Sequence, residues 1–255
     1  MTLLIGALSG PGLNPDNENF TFEPGIVIAA DTRYTIPNKP PIDDGLKVAP
    51  AGPYSICGMA SDDIDIPTSA FHFFDAFMQT HPDISGSSAS EELQRYLQNA
   101  HRVTCSKRGK LDLVTNVFFG HQEVSTNFFC LYRLDSKDNF LPKIVSGFDA
   151  AGSHKHYVME SFELTKHQYP TLTLRPFNGF PNDYVTVREG VAALVAMIIV
   201  SAIDVAKETE ARTGKSEGIG GTYQISAVTL DGPRVSDPLT YDKLKALQIF
   251  GSGIE

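Results

Sequence analysis

"GIVIAADTRYT", Gly25 to Thr35, holds the strongest break in the apolar pattern of this 255-residue chain. From Gly25 to Ala30 the residues are apolar without alternation, the pattern of a strand buried on both faces. The run then ends on Asp31, Thr32 and Arg33. A carboxylate at the end of a buried strand is costly unless a cation or a hydrogen-bond donor meets it. Lys47, sixteen residues further on in "DDGLKVAP", enters another apolar strand, where an ammonium group is equally out of place alone. Two readings follow. The two residues pair inside the fold, or Asp31 caps a turn and Lys47 reaches solvent from an edge strand.

Outward from this stretch, Thr2 to Leu8 is a short apolar strand, and Ser9 to Pro24 carries the Gly, Pro, Asn and Asp of a loop. "GLKVAP" and "YSICGMA" read as two strands separated by the turn "PAGP". Ser61 to Thr80 reads as a helix, and "SASEELQRYLQNAHRV" as a second, with Ser88 and Glu91 spaced as a capping box. "LVTNVFFGHQ", "NFFCLYRLD" and "PKIVSGFDA" return to strands, the last two joined by "SKDN". "HKHYVMESFELTKHQ" and the long apolar segment around "GVAALVAMIIVSAI" read as helices, and "TYQISAVTLDG" as a closing strand. No linker, repeat or low-complexity block divides the chain, so one domain over residues 1–255 is expected. Strands, two helices, strands, two helices and a strand suit an α+β chain. Two antiparallel sheets packed face to face, with a helix pair outside each, make a four-layer αββα sandwich.

Net charge of −9, without a Lys/Arg run, argues against nucleic acid or an anionic membrane surface as partner. Cys57, Cys105 and Cys130 are odd in number and lack CxxC spacing, which suits a reducing compartment and offers no disulfide framework or zinc site. The N-terminus lacks a basic region before its short apolar run, so no signal peptide is expected. The longest apolar run, Gly190 to Ile203, is shorter than the roughly 18–20 residues that span a bilayer. A cytoplasmic location is expected.

Thr2 follows Met1 directly. A small second residue is the usual signal for removal of the initiator methionine, which would leave a hydroxyl and a free α-amine on one residue. That amine has an intrinsic pKa of roughly 7.7–8, against about 10.4 for a lysine, so a useful fraction is neutral near pH 7. It can act as general base toward its own hydroxyl. An ammonium at Lys47, held by Asp31, would favour the deprotonated forms of both groups.

With these residues in view, the chain resembles the proteasome β-type subunits of the N-terminal nucleophile hydrolases. "GIVIAADTRYT" is similar to the family's second strand, which ends in Ala-Asp-Ser/Thr-Arg-x-Thr, and Lys47 keeps the family's separation from the aspartate. "TLLIGA" resembles the family's first strand, "YSICGMASDDID" its strand ending in a Gly-containing turn, and "AAGSHKHY" its Gly-Ser-x-x-x-Tyr segment. The resemblance implies the N-terminal nucleophile hydrolase sandwich and hydrolysis of peptide or amide bonds without metal or organic cofactor. It implies Thr2 as nucleophile and base, Lys47 to lower their pKa values and Asp31 to hold Lys47. It further implies Gly58 as oxyanion donor and Ser153 as an aid to proton movement. A homo-oligomer is implied too, the family's form being a ring assembled through outer helices.

The chain departs from the family pattern in three places. The Ser9–Pro24 loop is long, and no propeptide beyond Met1 is visible, so maturation is expected to rest on methionine removal. "SEGIGG" stands where an Asp-x-x-Ser-Gly-Gly is found, with Ser216 and Ile219 at the acid and serine positions and Glu217, one position off, as the candidate replacement for the acid. A non-catalytic scaffold or binding subunit on the same fold, and a small-molecule amidohydrolase, are therefore kept as alternatives. His154 and His156 would share a strand face and bind a metal, or else serve polar roles at a helix start. Asp62, Asp63 and Asp65 would hold a cation, or else form an acidic helix N-terminus. The aromatics of "FHFFDAFM" are read as core or a subunit contact.

Overall fold

The computed structural model describes residues 3–9, 25–33, 45, 47–152, 155–168, 190–214, 221–235 and 238–245. The chain is mixed α+β and contains two antiparallel sheets. The first is built from β1 (Leu4–Ser9), β2 (Gly25–Asp31), β8 (Phe148–Ala151), β9 (Tyr223–Thr229) and β10 (Gly232–Val235), in the order β10-β9-β2-β1-β8. The second runs β3 (Val48–Pro50), β4 (Ser55–Ser61), β5 (Thr115–Glu123), β6 (Phe128–Asp135) and β7 (Lys143–Ile144), in chain order. The helices are α1 (Asp65–Thr80), α2 (Gly86–Arg108), α3 (Lys155–Gln168) and α4 (Gly190–Thr213). Among the described residues, no helix is long and apolar enough to cross a membrane.

Three apolar clusters explain why these strands are apolar on both faces. Side chains alternate across a strand with period two. In β1 and β2, Ile5, Ala7, Val27 and Ala29 face Tyr157, Val158, Ile199 and Ile203 of α3 and α4. Leu4, Leu8, Ile26, Ile28 and Ala30 turn the other way and meet Ile56, Phe118 and Leu131 of the second sheet. On that sheet's far side, Cys57, Met59, Val117, Phe119 and Tyr132 pack under Phe71, Phe74, Leu93 and Leu97 of α1 and α2. The two sheets thus share one apolar interface and each buries its other face under a helix pair. Complete burial of β2 follows from its central place in the first sheet.

Several boundaries differ from the sequence expectation. "PKIVSGFDA" is two strands in different sheets, β7 on β6 and β8 on β1. Gly147, at φ +100°, lies between them, a conformation only glycine adopts without strain, and lets the chain cross from sheet to sheet. Ser61 ends β4, so α1 begins at Asp65. The cap of α2 is Ser85, whose side chain accepts from the Ser88 N–H, and not the Ser88–Glu91 box. The closing segment "TYQISAVTLDG" continues as a hairpin, with Gly232 opposite Thr229. Within "FHFFDAFM", Phe71 and Phe74 are buried whereas Phe73 is 59% exposed and stacks on Tyr96.

Candidate active site

The Asp31–Thr32–Arg33 stretch, charged and polar at the end of a buried strand, has its partners at one end of the sheets. Asp31 Oδ1 accepts from Lys47 Nζ at 2.8 Å and from the Leu3 N–H at 3.0 Å. Both residues of the pair are only 2% exposed. Lys47 Nζ also donates to the Arg33 carbonyl at 2.5 Å, so the ammonium ties both sides of Thr32. Thr32 itself is sealed, its Oγ1 lying 2.8 Å from Thr222 Oγ1 at the entry to β9. Lys47 is fixed along its backbone as well, since its carbonyl accepts from the Met59 N–H at 2.9 Å. Of the two sequence readings, the structure has the pair.

Burial pushes the Asp31 carboxyl up, while Lys47 and the Leu3 N–H pull it down. Burial likewise lowers the Lys47 ammonium, with Asp31 opposing. Loss of water drives each group toward neutrality and each keeps the other charged.

Gly58 does a different job from the one expected of it. In an antiparallel ladder, hydrogen-bonded and non-hydrogen-bonded pairs alternate. On the β5 side of β4, Gln122 N–H donates to the Tyr54 carbonyl and Asp62 N–H to the Val114 carbonyl. Gly58, opposite Phe118, has the same parity, so its N–H faces β5 inside the ladder. The odd positions face β3, as the Met59–Lys47 bond shows. Glycine at position 58 instead answers a packing demand, because a Cβ there would lie 2.3 Å from Ile28 Cγ2 of the opposite sheet. The N–H that faces the Lys47 side beyond the last β3–β4 bond is that of Ser61, which has no backbone acceptor among the described residues. Sequence reading passes over it because ladder parity, not residue type, selects it.

Ser61 also lines a cleft of 570 Å³ with Ala60, Asn116, Arg133, Gly152 and Lys155. Here the strand faces that enclose Phe118 and Leu131 deeper in the interface carry Asn116, Arg133 and Asp135 instead. Arg133 clasps the two sheets, donating to Asp135 Oδ2 of β6 at 2.9 Å, and to Asp149 Oδ2 and the Ala150 carbonyl of β8 at 2.7 and 3.1 Å. Nothing in the sequence pattern marks Arg133, since its role depends on β8 belonging to the other sheet.

Thr2, Ser153, His154 and Glu217 lie outside the described residues. The acidic run after β4 has protein partners: Asp62 Oδ2 accepts from the Val114 N–H, and Arg108 bonds Asp63 and Asp65 at 2.8 and 3.0 Å. Cys57, Cys105 and Cys130 are free thiols, and burial pushes Cys57 and Cys130 up, away from the nucleophilic thiolate. Ser55 Oγ lies 2.8 Å from His121 Nδ1, the spacing of a nucleophile and its base, but both side chains are completely buried. No protein-family model matches the chain, and a search of curated proteins finds no match.

Proposed function

We propose that the protein is an N-terminal threonine hydrolase of peptide or amide bonds, resembling the proteasome β-type subunits, once processing leaves Thr2 first in the chain. The observation that carries this reading is the sharing of Asp31 Oδ1. Lys47 Nζ and the N–H of Leu3 both donate to it, and that N–H belongs to the peptide bond joining Leu3 to Thr2. Two antiparallel sheets with helix pairs outside support the four-layer αββα sandwich of the N-terminal nucleophile hydrolases.

In this reading the Thr2 amine takes the proton of its own hydroxyl, and Oγ1 attacks the substrate carbonyl carbon. Lys47, held by Asp31, favours the neutral amine and the developing alkoxide. The carbonyl oxygen becomes an oxyanion that accepts from the Ser61 N–H, in place of Gly58. Collapse of the tetrahedral intermediate expels the amine product, which takes the proton from the Thr2 ammonium, with Ser153 aiding the transfer. Water then attacks the Thr2 ester, giving a proton to the amine, which returns it to Oγ1 as the ester bond breaks and the acid is released. The cleft beside Ser61 accommodates the leaving group. Thr2→Ala should abolish turnover of a peptide or amide substrate while leaving the circular dichroism spectrum and the assembly unchanged; retained turnover would overturn the assignment.

A further inference from the structure

We propose that Thr115 is a positioning residue whose hydroxyl, bonded to Ser61 Oγ at 2.7 Å, holds the Ser61 N–H in the orientation that meets substrate. This rests on the threonine-hydrolase reading above. Ser61 and Thr115 face each other at the end of the β4–β5 ladder. Their parity makes them a non-hydrogen-bonded pair, so no backbone bond joins them and only their side chains do. The contact is flanked by fixed points. Asp62 N–H donates to the Val114 carbonyl at 2.8 Å, and the Val114 N–H returns to Asp62 Oδ2 at 2.9 Å.

On the far side of Thr115, its N–H donates to Ser136 Oγ at 3.0 Å, and Ser136 Oγ donates to the Leu113 carbonyl at 3.2 Å. A polar chain thus runs from Ser136 through Thr115 to Ser61, and on to the Asp63 carbonyl that Ser61 Oγ reaches at 2.7 Å. Thr115 is fully buried on the strand face that carries Val117 and Phe119. Valine would fill that volume with no polar atom to satisfy, so packing alone does not account for a hydroxyl. The one hydrogen-bond partner of the Thr115 hydroxyl among the described residues is Ser61 Oγ.

Losing an oxyanion donor altogether costs about 10²–10³ in rate, and a donor merely displaced costs less, on the order of ten-fold. The test compares two electrophiles on the full-length processed protein, with labelling of Thr2 timed by intact mass. A β-lactone acylates through a tetrahedral oxyanion, whereas a peptide vinyl sulfone alkylates by conjugate addition without one at a carbonyl carbon. Thr115→Val should slow lactone acylation about ten-fold and leave vinyl sulfone addition unchanged, and Thr115→Ser should restore the wild-type ratio. Ser61→Ala breaks the same bond from its half-buried end and should give the same split if Thr115→Val does not fold. Equal slowing by both electrophiles, or no slowing, would overturn the positioning role and leave the hydrolase reading standing. Wild-type protein that takes neither label at Thr2 would remove both.

Discussion

Two buried polar pairs mark the two ends of β4, and they are built differently. Near its C-terminal end, Lys47 and Asp31 form an ion pair whose side chains also reach the Leu3 N–H and the Arg33 carbonyl, while the Lys47 backbone carbonyl accepts from Met59. At its N-terminal end, Ser55 and His121 face each other across β4 and β5, with burial holding the imidazole below its ordinary pKa. By distance alone the second pair is the better nucleophile–base couple. It is nevertheless a packing contact, closed to substrate under α1 and α2, while the ion pair lies two residues along the ladder from the cleft wall at Ser61. A short contact between reactive groups does not make a site. A buried charge tied to the peptide bond between Thr2 and Leu3 is the stronger sign.

The largest effect is expected at Lys47. Lys47→Met strands the Asp31 carboxylate in the interior and should lower unfolding free energy by about 3–5 kcal/mol in urea titration. The double variant Asp31→Asn/Lys47→Met removes the stranded charge and keeps an acceptor for the Leu3 N–H, so it should recover most of that loss. Additive losses would mean the two residues do not act as a pair. Gly58→Ala should cost about 1–3 kcal/mol by overpacking against Ile28, with a smaller loss in an Ile28→Ala background.

His121 gives a pH signature of its own. Its folded pKa is depressed, so the unfolded chain takes up the proton first as pH falls. The stability it contributes is complete above about 6.5, the ordinary histidine value, and is lost as pH falls through the folded pKa. The difference in unfolding free energy between wild type and His121→Gln should therefore shrink below that pH; a difference independent of pH would contradict the buried neutral imidazole. The smallest effect is expected at Arg108, half exposed on the surface, where Arg108→Met should leave the melting midpoint unchanged despite two ion pairs.

The elements legible in the sequence were those where charge breaks an apolar pattern. Asp31 and Lys47 stand out because a buried strand does not otherwise carry them, and the order of strands and helices follows from periodicity. What depended on register was hidden. Ser61 and Thr115 are ordinary residues until a ladder places them opposite each other, and Arg133 gains its role only because the chain crosses sheets at Gly147. The Asp231-Gly232 dipeptide does carry a hairpin signal, and reading the last segment as one strand passes over it.

In the proposed function, Thr2, freed as the N-terminal residue, is the nucleophile. The most direct measurement is intact mass of the purified protein before and after a β-lactone, with the N-terminal peptide mapped. The expected result is a chain beginning at Thr2 that gains one adduct on that residue and none in Lys47→Met. A chain in which Thr2 is still preceded by another residue and gains no adduct would contradict it, and would point to a scaffold or binding role instead.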